Sequence, residues 1–277
     1  MIKHIALSLS MLCLLQACGG GDSSGDSGGD KDAGASALTG PASAAPATAG
    51  VGSVSAKFAG GKDARYIRLS LNGQSLGNAE NAEQADNGAM LRLGSNSLSG
   101  SHQTVDIAGD AHFALGRWVK GTISDASDTV KTSTLTGKDE ESHHYIVYKR
   151  LEKLPASGQI QCNTVAATAP TAVSDARAKV GSASGSATVS FDTNGAKVQG
   201  SIQLRAGGET GTTNLATQIQ EAASMSVIGL LLGPGAGAGM VLADQGSDVP
   251  SLVVAYRAQL PNGGLYNGVA RFTCKKT

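Results

Sequence analysis

The side chains of this 277-residue chain best suited to hold a metal or haem iron are the adjacent His143 and His144, with Tyr145 and Tyr148 close behind. An imidazole or a phenolate is an axial ligand to haem iron, so these four residues are the candidate contacts for haem or for a protein partner. The apolar and aromatic run Tyr145-Ile146-Val147-Tyr148 reads as a strand. Neighbours on a strand point to opposite faces, so His143 and His144 cannot easily share one metal ion. No His-x-Glu, His-x-x-x-His or Cys-x-x-Cys spacing occurs, and no metal site is expected. Gly233-Pro234-Gly235-Ala236-Gly237-Ala238 fits the glycine pattern of a dinucleotide site, which needs a helix to open directly behind it. The run Met240-Val241-Leu242-Ala243-Asp244 behind these glycines is too short for that helix, so they read as a turn between strands. No Gly-x-Ser-x-Gly is present: Gly181 to Gly185 has alanine at its centre. No catalytic residue is assigned, and the chain is not expected to be an enzyme.

Lysine and arginine number 22 against 22 aspartates and glutamates. A balanced chain has no basic surplus with which to neutralise phosphates, and nucleic-acid binding is set aside. Glycine is abundant at 38 residues, while one tryptophan, five tyrosines and four phenylalanines leave few large rings to fill a core. That mixture suits short strands joined by tight turns.

The chain opens with Lys3 and His4, an apolar stretch from Ile5 to Leu15, and then Leu15-Gln16-Ala17-Cys18. A basic start, an apolar core and small residues before a cleavage point are the order of a secretory signal peptide, here residues 1–17. A cysteine placed directly after that point resembles the lipobox of bacterial lipoproteins. The resemblance implies a diacylglycerol on the Cys18 thiol and an acyl chain such as palmitate on the new amine, hence lipidation at Cys18. Several acyl chains hold firmly where one holds reversibly. The apolar stretch is shorter than the ~18 residues a spanning helix needs, so the expectation is a protein tethered to a membrane through its lipid and not threaded through it. Gly19 is not the aspartate that holds such proteins at the inner membrane in the enterobacterial sorting rule, which points to the cell outer membrane and, in some cases, the cell surface. Residues 18–53, rich in Gly, Ser, Asp and Ala, have almost no large apolar side chain and read as a flexible tether. A tether of that length places the folded part ~30–35 Å from the anchor on average.

Order is expected from Val54. A small β-rich segment over 54–108 includes Tyr66–Leu71, Met90–Leu93 and Thr104–Ile107, with Asn72-Gly73 and Asn87-Gly88 as turns and Leu76–Ala89 as a loop or short helix. Over 109–277 the candidate strands are clearer: His112–Val119, Tyr145–Tyr148, Gly158–Asn163, Ala187–Phe191, Val198–Leu204, Leu215–Ile219, Val227–Leu232, Leu252–Leu260 and Tyr266–Cys274. Thr164 to Ser184 reads as a long loop. Short strands with Gly, Asn and Pro turns between them give an all-β fold, an antiparallel meander closed as a barrel or stacked as a sandwich. Cys162 shares a face with Ile160, and Cys274 with Phe272, so both sulfurs point into a core. They form a disulfide in an oxidising compartment, or remain two buried thiols.

Three stretches together resemble the β-barrel module of transferrin-binding protein B. They are Gly185–Asp192 with Ala196–Ile202, Ile228–Gly239, and Gly268-Val269-Ala270-Arg271-Phe272. Gly116-Arg117-Trp118 and Leu154-Pro155-Ala156-Ser157-Gly158 are similar to steps in related proteobacterial proteins. The likeness covers about 110–277. It implies an up-and-down barrel of about eight strands on an outer-membrane lipoprotein that binds a host protein or haem without catalysis. The alternative is a structural or envelope-assembly lipoprotein with no soluble ligand. Leucine stands where the family has an aromatic before Gly233-Pro234, and Trp118 is expected in the core.

Overall fold

The computed structural model describes residues 53–277 other than 72, 127–130, 174–177 and 230–234. The expected signal peptide, Cys18 and the tether up to residue 52 lie outside the described residues. Among those described, seventeen strands join into one sheet system in which every ladder is antiparallel, and the helical content is one 3-10 turn at Asp139–Glu141. The all-β expectation holds.

The first eight strands are β1 (Ala64–Ser70), β2 (Gly73–Asn78), β3 (Glu83–Gln84), β4 (Met90–Leu93), β5 (Asn96–Asp110), β6 (Phe113–Asp125), β7 (Lys131–Thr136) and β8 (His143–Arg150). β1 lies between β2 and β8, β8 between β1 and β6, and β6 pairs along its other edge with β5. β7 takes over from β8 on the second half of β6. Both faces of this sheet are apolar. Ala64, Tyr66, Ala114, Trp118, Tyr145 and Val147 turn to one side, into a core with Phe58, Met90, Leu93 and Leu135. Ile67, Leu69, Leu115 and Ile146 turn to the other and meet Val241, Val253, Ala255 and Val269.

Those four partners belong to the second half, made of β9 (Gly158–Ala167), β10 (Thr171–Ala172), β11 (Ser182–Asp192), β12 (Gly195–Ala206), β13 (Glu209–Ile219), β14 (Ser226–Gly229), β15 (Gly237–Asp244), β16 (Ser251–Gln259) and β17 (Leu265–Lys276). Ladders run β13–β12–β11–β9–β17–β16–β15–β14, an arc around one core that includes Val189, Val198, Ile202, Leu204, Leu252, Val254 and Phe272. β12 and β13 alternate buried and exposed residues, as a sheet with one solvated face must. β15 and β16 are buried almost without a break, because their outer face carries the first sheet.

One expectation needs correction. The sheet is open and has seventeen strands, not the eight of an up-and-down barrel: no ladder joins β13 to β14 among the described residues. Residues 108 and 109 are consecutive in β5 and pair with β6. Strands β6 and β8 pair with β5 and β1, and the change of partners comes between β8 and β9. Leu76–Ala89 forms β2 and β3 in place of a loop or helix, and the loop expected from Thr164 is partly β9 and β10. The glycines at 237 and 239 lie on β15, a strand with no helix behind it.

Two glycines of the sequence patterns have a shared role. Gly116 on β6 is paired with Tyr145 on β8, and Gly268 on β17 with Tyr256 on β16. A Cβ on Gly116 would stand 2.4 Å from the Tyr145 hydroxyl, and one on Gly268 would stand 2.3 Å from that of Tyr256. In each half a tyrosine ring lies across a cross-strand glycine, and only the missing side chain makes room for it. Trp118 is fully buried beside Tyr145, with ring centroids 5.5 Å apart. Cys162 and Cys274 face each other across β9 and β17 and are joined as a disulfide spanning 112 residues of sequence.

Polar side chains also bind the two halves. Arg117 Nε donates to Asp106 Oδ2 at 2.8 Å, and its Nη1 donates to Asp139 and to Ser142 Oγ. Asp106 Oδ2 also accepts the Ala169 N–H at 3.0 Å. Arg271 of β17 lies over the Phe113 ring at 4.2 Å and reaches Asp110.

Candidate functional site

A cleft opens where β1, β2, β7 and the start of β8 meet, with a volume of about 410 Å³. Strand alternation places Arg68 on β1 and His143 at the first position of β8, and Arg68 Nη1 donates to His143 Nδ1 at 2.6 Å. A guanidinium has no lone pair to offer, so His143 Nδ1 is the acceptor and that ring carries its proton on Nε2. Burial, and then the Arg68 charge, push the His143 pKa down to about 3. The imidazole is therefore a neutral rest for the guanidinium and not its counter-ion.

Five ionisable side chains line the cleft: Arg68, Asp125, Lys131, Glu141 and His143. Both acids are already engaged. Asp125 accepts from Ser95 Oγ at 3.0 Å, and Glu141 accepts from the Thr136 N–H and Oγ1 at 2.8 Å each. Those Thr136 bonds hold the Glu141 carboxyl below its ordinary range. Arg68 Nε has no hydrogen-bond partner and is enclosed, and the same holds for Gln74 Oε1 in the next strand. Neither atom is accessible from the cleft, whose lining also includes the hydroxyl residues Ser70, Thr132, Ser133 and Thr134.

Of the four residues picked from sequence for haem or partner contact, this cleft takes one. His143 lines it. His144 faces the other way, is fully buried, and has Nδ1 2.8 Å from Thr168 Oγ1 and Nε2 2.7 Å from Thr171 Oγ1. Tyr145 is fully buried too, its hydroxyl accepting the Met90 N–H at 2.9 Å. Tyr148 is buried on the His144 face, and desolvation pushes its phenol up to about 12. The opposite-face reading of the two histidines holds, but iron ligation by His144 or Tyr145 would require a packed core to come apart. Arg68 and Gln74 had no signal in the sequence beyond one charge and one amide in alternating strands.

The buried imidazoles set a pH dependence. The pKa of His143 is depressed to about 3 and that of His144 lies well below the ordinary value, in both cases chiefly through burial. An unfolded histidine takes up a proton near pH 6.5, so below that pH the unfolded chain binds protons that the folded one refuses. Stability is thus intact above about pH 6.5 and declines as the pH falls from there toward about 3. Each histidine is expected to cost ~1–2 kcal/mol between pH 7 and pH 5. Urea unfolding at the two pH values measures this, and His144→Gln should flatten the decline.

No protein-family model matches the chain, and no curated protein matches its sequence.

Proposed function

We propose that this chain is a lipid-anchored protein of the cell outer membrane whose β module binds a ligand without transforming it, displayed where a host protein or small molecule can reach it. The observation that carries the reading is the order signal segment, Leu15-Gln16-Ala17-Cys18 and glycine-rich tether ahead of a folded module. The Cys162–Cys274 disulfide supports it, since such bonds persist in oxidising compartments outside the cytosol. So does the cleft, which five ionisable side chains and the hydroxyl residues Ser70, Thr132, Ser133 and Thr134 line. With two halves locked face to face, the module offers a rigid surface, which keeps the ordering cost of binding low.

Protease shaving of intact cells tests the reading, with a lysed control and a Cys18→Ala variant. Cleavage of the folded module on intact cells, together with loss of membrane retention in the variant, is the expected result. Cleavage only after lysis would reject surface display and favour a periplasmic envelope role. Retention of the Cys18→Ala protein at wild-type level would reject the lipid anchor.

A further inference from the structure

We propose that the outward face of β11, walled by β9 and β12, is a track for an acidic polysaccharide, one end of which enters the cavity beside Arg205 and Lys179. The inference rests on reading the module as a binder, and it names a partner and the surface that takes it.

Strand alternation builds the track. The inward residues of β11 and β12 fill the core of the second half, so the alternate positions face solvent. On β11 those positions are Ser182, Ser184, Ser186, Thr188 and Ser190, a floor of short hydroxyl side chains. On β12 they are Lys197, Gln199, Ser201, Gln203 and Arg205, and four of these five are longer and stand along one margin. Gln159, Gln161 and Asn163 of β9 stand along the other. The ladders fix the order. Ser190 is opposite Lys197 and Gln159, Thr188 is opposite Gln199 and Gln161, and Ser182 is opposite Arg205. No residue of β11 or β12 joins the core between the two halves, so the first sheet does not cover this face.

Charge and length select the partner. Lys197 and Arg205 stand at the two ends of one margin and make no ion pair among the described residues. No carboxylate takes an outward position between them on β9, β11 or β12. Asp192, one outward position past Ser190, accepts the Asn194 N–H. The two cations are eight positions apart on one strand, roughly 27 Å at 3.3–3.4 Å per residue. Salt screens exposed charges beyond about 8 Å, so no single small anion serves both. A polymer with a charge on each unit does. At the Arg205 end lies a cavity of about 760 Å³, lined by Ser182 and Arg205 together with Lys179. Lys179 is a third cation without an ion pair among the described residues. Glu209, the acid of that lining, accepts the Asn262 N–H at 3.2 Å.

The floor then selects among polyanions. Serine and threonine hydroxyls and glutamine amides both give and accept, as the hydroxyls of a sugar require. Thr188 Oγ1 is bonded to Gln161 Oε1 at 2.8 Å, and the four serine hydroxyls make no hydrogen bond among the described residues. No aromatic ring faces the track, which withholds both the anchors of a protein interface and the stacking platforms of a single-stranded nucleic acid.

The test is calorimetric titration of the full-length protein with polygalacturonate as the probe. Dextran lacks the charge, polyglutamate lacks the hydroxyls, and galacturonate lacks the length. Polygalacturonate is expected to bind at least about tenfold tighter than dextran or polyglutamate, and roughly a hundredfold tighter than galacturonate. Its affinity should fall roughly tenfold between about 50 and 200 mM salt. The double variant Lys197→Gln, Arg205→Gln should weaken it about tenfold or more, and Ser186→Asp roughly threefold to tenfold. Lys62→Gln removes an exposed charge ahead of β1, away from the track, and should leave the affinity within about twofold. Circular dichroism and thermal unfolding establish that each variant is folded. Absence of polygalacturonate binding, or unchanged binding in the folded double variant, would overturn the track. So would equal binding of dextran, polyglutamate or single-stranded DNA, or an equal loss in Lys62→Gln. None of these outcomes bears on the shaving result, and a failure of shaving leaves the titration standing.

Discussion

Arg117→Ala is expected to lower the free energy of unfolding by about 3–5 kcal/mol, the range for removing one partner of a buried ion pair. The arginine side chain is 6% exposed and that of Asp106 is 13% exposed. Without the guanidinium, Asp106 keeps, among the described residues, the Ala169 N–H alone, too little to compensate a carboxylate taken out of water. Asp139, half exposed at 50%, can return to solvent and contributes little to the loss. The double variant Arg117→Met, Asp106→Asn separates charge from packing. Asn tolerates the left-handed backbone that Asp106 adopts at φ 56°, and no buried charge is then left over. It should recover ~1–3 kcal/mol of the single-variant loss as coupling energy. Urea unfolding at pH 7 measures both quantities. A loss below ~1 kcal/mol in the single variant would mean that the pair is solvated.

The second large effect comes from the disulfide. The double variant Cys162→Ala, Cys274→Ala should lose about 2–5 kcal/mol, since the bond removes the freedom of a long loop from the unfolded chain. For a module of this size that is a fall of roughly 5–15 °C in the unfolding midpoint. Reduction of the wild-type protein during the melt should reproduce the shift, and reduction of the variant should do nothing. A midpoint insensitive to reductant would place the stabilisation in the β9–β17 ladder alone.

What could be read from the sequence was whatever depends on near neighbours. Alternation in Ile160-Gln161-Cys162 and Phe272-Thr273-Cys274 turned both sulfurs inward, and they meet. The same rule sent His143 and His144 to opposite faces, and they lie there. Asn194-Gly195 marked the turn of a hairpin that the β11–β12 ladder bears out. Pairings between distant strands were not legible. β1 finds β8 across some eighty residues, and nothing in Ala64–Ser70 names that partner over β9. β7, Lys-Thr-Ser-Thr-Leu-Thr, is held by its ladder to β6 and not by an apolar face, so periodicity passes over it. The two-sided burial of β6 and β8 erased the contrast that assigns a strand to one core. The cleft was hidden in the same way: Arg68 and Gln74 come together only because β1 and β2 form a hairpin that β7 and β8 then border.

The β9–β17 junction also has a consequence in time. β9 is made before β17, and its edge partner emerges 112 residues after Cys162. At a synthesis rate of ~5–20 residues per second, that interval is roughly 5–20 s. Throughout it, β9 presents a bare row of main-chain donors and acceptors and a reduced thiol, which are the features that recruit wrong partners. The fully folded module is fastened along this line by a ladder and a covalent bond. Its newborn chain is most exposed along the same line, so errors in making this protein should concentrate where the finished molecule is strongest.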